Sequence, residues 1–227
     1  MTDPTPRPNP FDIVYGKMRD DLTAFFWDAF TALGVNGITG DYVEFGSWGG
    51  NTLRAAYVGM RDSGRMRPMW AYDSFQGLPP ATDERDQHPG WQPGSAHGQG
   101  GVEAFYADCD AHGIPRDAYT AVEGYYDVTL PAIGDGAPRD ISVAYIDCNM
   151  YSSAVTVLEF LRPRLKHGMI LAFDDWFCWT DAHVSGEREA LEELSEANPQ
   201  WHFERFKDVH RAGVSFVVEH GRPGRLR

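Results

Sequence analysis

Five acidic residues stand at or just beyond the end of a short apolar run: Glu44, Asp73, Asp147 and the adjacent pair Asp174 and Asp175. Asp147 and the pair are the most informative. If the runs that carry them are neighbouring strands, about 5 Å apart, Asp147 and Asp174 end side by side. Carboxylates that close repel one another and raise each other's pKa. A hard divalent cation, Mg2+ or Mn2+, removes the repulsion and prefers such oxygen ligands, keeping waters or taking substrate oxygens as well. Asn149 offers a neutral carbonyl beside them. The same residues also suit a plainer role, each Asp capping its own helix.

The second constellation is Glu44 to Thr52, EFGSWGGNT. Glycines at a strand-to-helix turn let the backbone approach a ligand closely. Gly46, Gly49 and Gly50 give neither the dinucleotide fingerprint nor a Walker loop. An acid two residues before a glycine suits a cationic ligand with an amino-acid end better than a pyrophosphate, although an ordinary tight turn reads the same way. Asp73 can accept hydrogen bonds from two ribose hydroxyls or cap the turn that follows. His88 and His97 are placed to reach a substrate, or are solvated loop histidines. Trp48, Trp176 and Trp179 can wall an apolar pocket or pack in the core. Cys148, beside Asp147, has no identifiable His partner and reads as inert. The charge-rich stretch Glu187 to Glu196 reads as a solvated helical face.

The elements that must position these groups alternate. Helical spacing covers Phe11 to Leu33, Asn51 to Met60, Val102 to Ala111, Ser152 to Leu161 with Ser152 or Ser153 as N-cap, and Glu187 to Ala197. Apolar runs predict strands at Asp41 to Phe45, Met69 to Tyr72, Tyr119 to Val122, Ile141 to Ile146, Met169 to Phe173, Trp201 to Phe206 and Val214 to Val218. The pattern predicts an α/β fold, a doubly wound and mostly parallel seven-stranded sheet with an N-terminal helix and an antiparallel closing pair. Right-handed crossovers place the strand C-termini on one edge, where ligands bind in such folds. A flexible arm over 1–10, one domain over 11–220 and a tail over 221–227 are expected. The Gly- and Pro-rich stretch 77–101 lacks periodicity and reads as a lid loop.

At 227 residues with 20 basic and 33 acidic side chains, the net charge of −13 argues against a nucleic-acid surface. No run suits a membrane helix, and the start lacks the basic and apolar regions of a signal peptide. A cytoplasmic protein is the expectation. The three cysteines, Cys109, Cys148 and Cys178, suggest neither a disulfide framework nor a zinc site.

With these residues in view, the chain resembles the macrocin O-methyltransferase family, S-adenosylmethionine-dependent enzymes that methylate sugar hydroxyls. The matching stretches are Tyr42 to Thr52 (YVEFGSWGGNT), Tyr72 to Pro79 (YDSFQGLP), Val122 to Pro131 (VEGYYDVTLP), Tyr145 to Ser153 (YIDCNMYSS) and Met169 to Trp176 (MILAFDDW). The resemblance implies a class I methyltransferase fold. It further implies that Glu44, Gly46 and Ser47 hold the methionine part of the cofactor, with Asn51 and Thr52 closing the same motif. Asp73 takes the ribose with Ser74 beside it, and Glu123 and Gly124 lie near the adenine. Asp147, Asp174 and Asp175 match the family's Mg2+ (or Mn2+) ligands, and Asp147 is the favoured general base. Relatives often carry Asp where this chain has Asn149. The partner implied is a small-molecule acceptor, a hydroxylated natural product or its sugar, with a homo-oligomer possible. A nucleotide- or cofactor-binding regulatory module and an NAD-dependent oxidoreductase are the other readings of the same sheet.

Overall fold

The computed structural model describes residues 10–95 and 100–221. Residues 1–9 of the expected arm, 222–227 of the expected tail, and His97 lie outside them. The chain runs α1 (Pro10–Val35), β1 (Asp41–Phe45), α2 (Asn51–Asp62), β2 (Met69–Asp73), α3 (Gly101–Ala111), β3 (Tyr119–Glu123), α4 (Tyr126–Ala132), β4 (Ile141–Ile146), α5 (Tyr151–Leu161), β5 (Ile170–Phe173), α6 (Gly186–Ala197), β6 (Trp201–Asp208) and β7 (Val214–His220). No helix among the described residues is long and apolar enough to cross a membrane.

The seven strands lie in the order β3-β2-β1-β4-β5-β7-β6. The first five are parallel, and β7 is antiparallel to both its neighbours. This is the doubly wound sheet the alternation predicted, and its central strands are buried on both faces because their residues are predominantly apolar, with Glu44 and Ser142 as buried exceptions. Side chains alternate between faces. Tyr42, Tyr145, Ile170 and Ala172 pack with α1, α2 and α3 in one core. Val43, Phe45, Ile146 and Phe173 pack with α5 and α6 in the other.

Two expectations are corrected. The N-cap of α5 is Met150 rather than Ser152 or Ser153, and the carboxylate serving that helix end comes from the distant residue Asp86. The short helix α4 was not foreseen, since YDVTLPA is too short to show a period and contains Pro131.

Candidate functional site

Parallel register decides where the acids end. Ile146 of β4 is paired with Phe173 of β5, so Asp147 and Asp174 leave adjacent strands at the same level, and the Asp174 N–H donates to the Ile146 carbonyl at 2.9 Å. Carboxylate oxygens of Asp147, Asp174 and Asp175 lie within 4.8 Å of one another. They face a cleft of about 500 Å³ at the C-terminal edge of the sheet, whose lining also includes Gly46, Trp48, Asp73, Ser74, Tyr126 and Asn149.

The backbone there is tightly fitted. Gly46 has φ 99°, and a Cβ on it would sit 1.9 Å from the Asp147 carbonyl oxygen; glycine is what lets the first turn close against the Asp147 loop. Asp73 organises that turn, with Oδ2 accepting from the N–H groups of Ser47 at 2.8 Å and Trp48 at 3.1 Å, and Oδ1 accepting from Phe75 N–H at 2.7 Å. Trp48 is thereby held at φ 31°, a left-handed conformation that needs such support.

Each acid of the cluster has different partners. The Tyr145 hydroxyl and His210 Nε2, the latter at 2.8 Å, both engage Asp174 Oδ1. Asp175 Oδ2 accepts from Asn149 Nδ2 at 2.6 Å and Oδ1 from the Cys178 thiol at 3.1 Å. Asn149 therefore presents its amide nitrogen to Asp175 rather than acting as the carbonyl ligand considered above. The Asp147 carboxylate accepts no hydrogen bond among the described residues. Burial, and then the charges of Asp174 and Asp175, drive its pKa well above the usual carboxylate range. Burial and the Asp174 charge push Asp175 up to about 6. Such crowding of acceptor-only groups is what a hard cation relieves, so the donor set fits Mg2+ or Mn2+.

Glu44 faces the α1–α2 side of the sheet with Tyr42, whose hydroxyl donates to Oε2 at 2.7 Å. Burial pushes the Glu44 pKa up to about 8. Its Oε1 and the Ser47 Oγ are buried with no hydrogen bond of good geometry among the described residues, and the nearby Ser47 hydroxyl only partly offsets the burial of Glu44. Unsatisfied polar atoms beneath a glycine turn fit a ligand with a cationic, hydrogen-bonding end.

The remaining sequence candidates are placed less directly. Asn51 and Thr52 open α2, Glu123 ends β3 and Gly124 follows it; like Glu44 and Ser47, none of these lines the cleft, whereas Tyr125, Tyr126 and Asp127 do. His88 stacks on Trp91 at 4.2 Å rather than entering the cleft. Trp176 packs against Phe173 and Phe216, and Trp179 is exposed.

The stretch expected to be a lid is partly fastened. Its two ends are joined by Leu78 N–H to the Ser95 carbonyl and Gly94 N–H to the Leu78 carbonyl. Asp86 is buried and accepts from the N–H groups of Thr82, Asp83 and Ser152 and from the Ser152 hydroxyl. Arg85 lies 3.5 Å above the Tyr151 ring and pairs with Asp83, Glu189 and Glu193.

Three of these residues escaped the sequence reading: Asp86, His210 and Glu187. Glu187 corrects the expectation of a solvated 187–196 face at its first position. It is fully buried, and its oxygens accept from the N–H groups of Cys148 at 3.1 Å and Asp175 at 3.0 Å. The one available signal was an acid in the first turn of a helix, which is common for dipole reasons alone.

The sequence profile of the macrocin-O-methyltransferase (TylF) family matches residues 15–198. The chain is similar to the 8-demethyl-8-(2,3-dimethoxy-alpha-L-rhamnosyl)-tetracenomycin-C 4'-O-methyltransferase of Streptomyces olivaceus, with 31% identity over 149 residues, 63% of this chain and 55% of that one. It is also similar to the mycinamicin III 3''-O-methyltransferase of Micromonospora griseorubida, with 27% identity over 178 residues, 73% of this chain and 68% of that one. The chain thus spans little more than half the length of the first of these relatives. Among solved structures, that of CalS11, a calicheamicin methyltransferase, has the same fold, with a TM-score of 0.67, 22% identity, and coverage of 93% of this chain and 86% of that one.

Proposed function

The chain belongs to the macrocin-O-methyltransferase family, and from that premise we propose that it moves a methyl group from S-adenosylmethionine to a sugar hydroxyl of a natural product, using a divalent cation. The observation that carries the metal is the convergence of Asp147, Asp174 and Asp175 on one cleft. When bound, the cation would hold acceptor oxygens and favour loss of a hydroxyl proton.

The chain's own residues do the rest. Gly46 and Ser47, above Glu44, hold the amino-acid end of the methyl donor, with Asn51 and Thr52 completing that turn. Asp73 and Ser74 lie on the ribose side, and Glu123 with Gly124 toward the base. Asp73 keeps lone pairs beyond those given to Ser47, Trp48 and Phe75. Asp147, with no competing hydrogen bond, receives the acceptor's proton. The acceptor oxygen then bonds to the methyl carbon while the carbon–sulfur bond breaks, and sulfur keeps the electron pair as S-adenosylhomocysteine. In-line positioning lowers the barrier by roughly 7–11 kcal/mol in the best-oriented reactions. The described part of the predicted lid, residues 77–95, flanks the acceptor side of the cleft and would help exclude water.

The test is S-adenosylhomocysteine formation over a panel of glycosylated acceptors. Chelation by EDTA is expected to abolish turnover and Mg2+ to restore it. Asp147→Ala is expected to lower the rate roughly 100-fold or more while S-adenosylhomocysteine affinity stays near wild type. Undiminished turnover in EDTA would remove the cation from the reading; equal loss of rate and cofactor affinity in Asp147→Ala would remove the base assignment.

A further inference from the structure

The acids of the cleft belong to two separate loops, and nothing in strand pairing beyond Ile146 and Phe173 fixes the distance between those loops. Asn149 reaches from one loop to the other, and a buried side chain from a third element, α6, holds the backbone of both. Glu187 receives the N–H of Cys148, the residue after Asp147, on Oε1, and the N–H of Asp175 on Oε2. A carboxylate is suited to this because both oxygens accept; a carboxamide accepts at one end only and would turn an N–H donor toward the second backbone N–H. Placement depends on Gly186, where a Cβ would lie 2.5 Å from the Tyr151 nitrogen, so only glycine lets the start of α6 press this close to α5. The first turn of a helix also favours a negative side chain. Against this stands a cost: a carboxylate fully buried near Asp174 and Asp175 gives up its hydration and meets like charge. An acid kept at so unfavourable a position has a geometric task.

We propose that Glu187 is a positioning residue that sets the spacing between Asp147 and Asp175, and with it the affinity of the cleft for a divalent cation. This rests on the reading that the three aspartates hold such an ion. Outer partners of metal ligands typically alter affinity about 10–100-fold when removed.

The experiment is Mn2+ binding by calorimetry to the full chain and to Glu187→Gln and Glu187→Asp, with S-adenosylhomocysteine binding and thermal unfolding measured on the same samples. Expected is Mn2+ binding weaker by about 10–100-fold in Glu187→Gln, partial recovery in Glu187→Asp, which keeps two acceptor oxygens, and cofactor affinity within about twofold throughout. A purely structural loss would weaken both ligands together and would overturn the proposal, as would wild-type Mn2+ affinity in a folded Glu187→Gln. Should that variant not fold, amide hydrogen exchange on the wild-type chain decides: slow exchange at both Cys148 and Asp175 supports the clamp, and fast exchange at either overturns it. Failure of the wild-type chain to bind Mn2+ is a separate outcome, which removes the cation reading itself and this inference with it.

Discussion

The two oxygens of Asp174 have different surroundings. Ala212 N–H donates to His210 Nδ1 at 3.1 Å, which leaves the proton on Nε2, directed at Asp174 Oδ1 at 2.8 Å. The Tyr145 hydroxyl shares that oxygen, so Oδ2 is the oxygen left for a ligand, and the orientation of the histidine ring is fixed from both sides. Glu44 yields a pH prediction at the same scale. Its folded pKa of about 8 lies above the 4.5 of the free side chain. Between those values the folded state binds more protons than the unfolded one, so stability falls as pH rises. Melting temperatures measured from pH 4.5 to 8 are expected to fall less steeply in Glu44→Gln than in wild type; parallel slopes would show that Glu44 ionises normally when folded. Glu44 and the three aspartates were visible in the sequence because each ends an apolar run. His210 was not, since its partner is 36 residues away across an antiparallel turn.

At the scale of elements, the helix α5 and the cover segment depend on each other. Its N-cap residue, Met150, offers no side-chain cap, and Asp86 supplies the acceptor from 66 residues away. Loss of a cap costs about 1 kcal/mol, and loss of buried charge-assisted hydrogen bonds about 1.5–3 kcal/mol. Asp86→Ala is therefore expected to lower unfolding free energy by about 2 kcal/mol in denaturant titration, and to speed proteolysis between residues 87 and 95. Unchanged denaturation would mean that the contact contributes nothing net. Strands were legible to within a residue or so at most ends because buried parallel strands are mostly apolar. The cap was not legible: an aspartate among Thr, Glu, Arg and Gln looks like any solvated loop. Glu187 was hidden by its neighbours in the same way, because EREALEELSE has the composition of an exposed face and only contact with α5 buries its first acid.

Over the whole molecule, the cleft concentrates charge. Asp73, Asp127, Asp147, Asp174 and Asp175 line it, and among the described residues Arg211 is its one basic lining residue. A cation bound only by the folded state raises stability by about 2.7 kcal/mol at a hundredfold excess over its Kd. Mg2+ is accordingly expected to raise the melting temperature of the wild-type chain and to leave that of Asp147→Ala nearly unchanged; identical shifts in both would place the ion elsewhere. The doubly wound, mostly parallel class was legible from alternation and handedness, whereas the strand order and the cover's attachment follow from contacts that no local pattern records.

That attachment limits what can enter. A swinging door needs slack on both sides of its hinge. Here the stem is stitched at Leu78, Gly94 and Ser95, and a foot is planted at Asp86. The stretch between those points is held at its neck and at its middle, so lifting it as one piece would break all of these bonds together. An acceptor of the kind proposed above would meet a rim already set in place before it arrives, and which hydroxyl reacts would depend on how far its ring can be inserted past that rim.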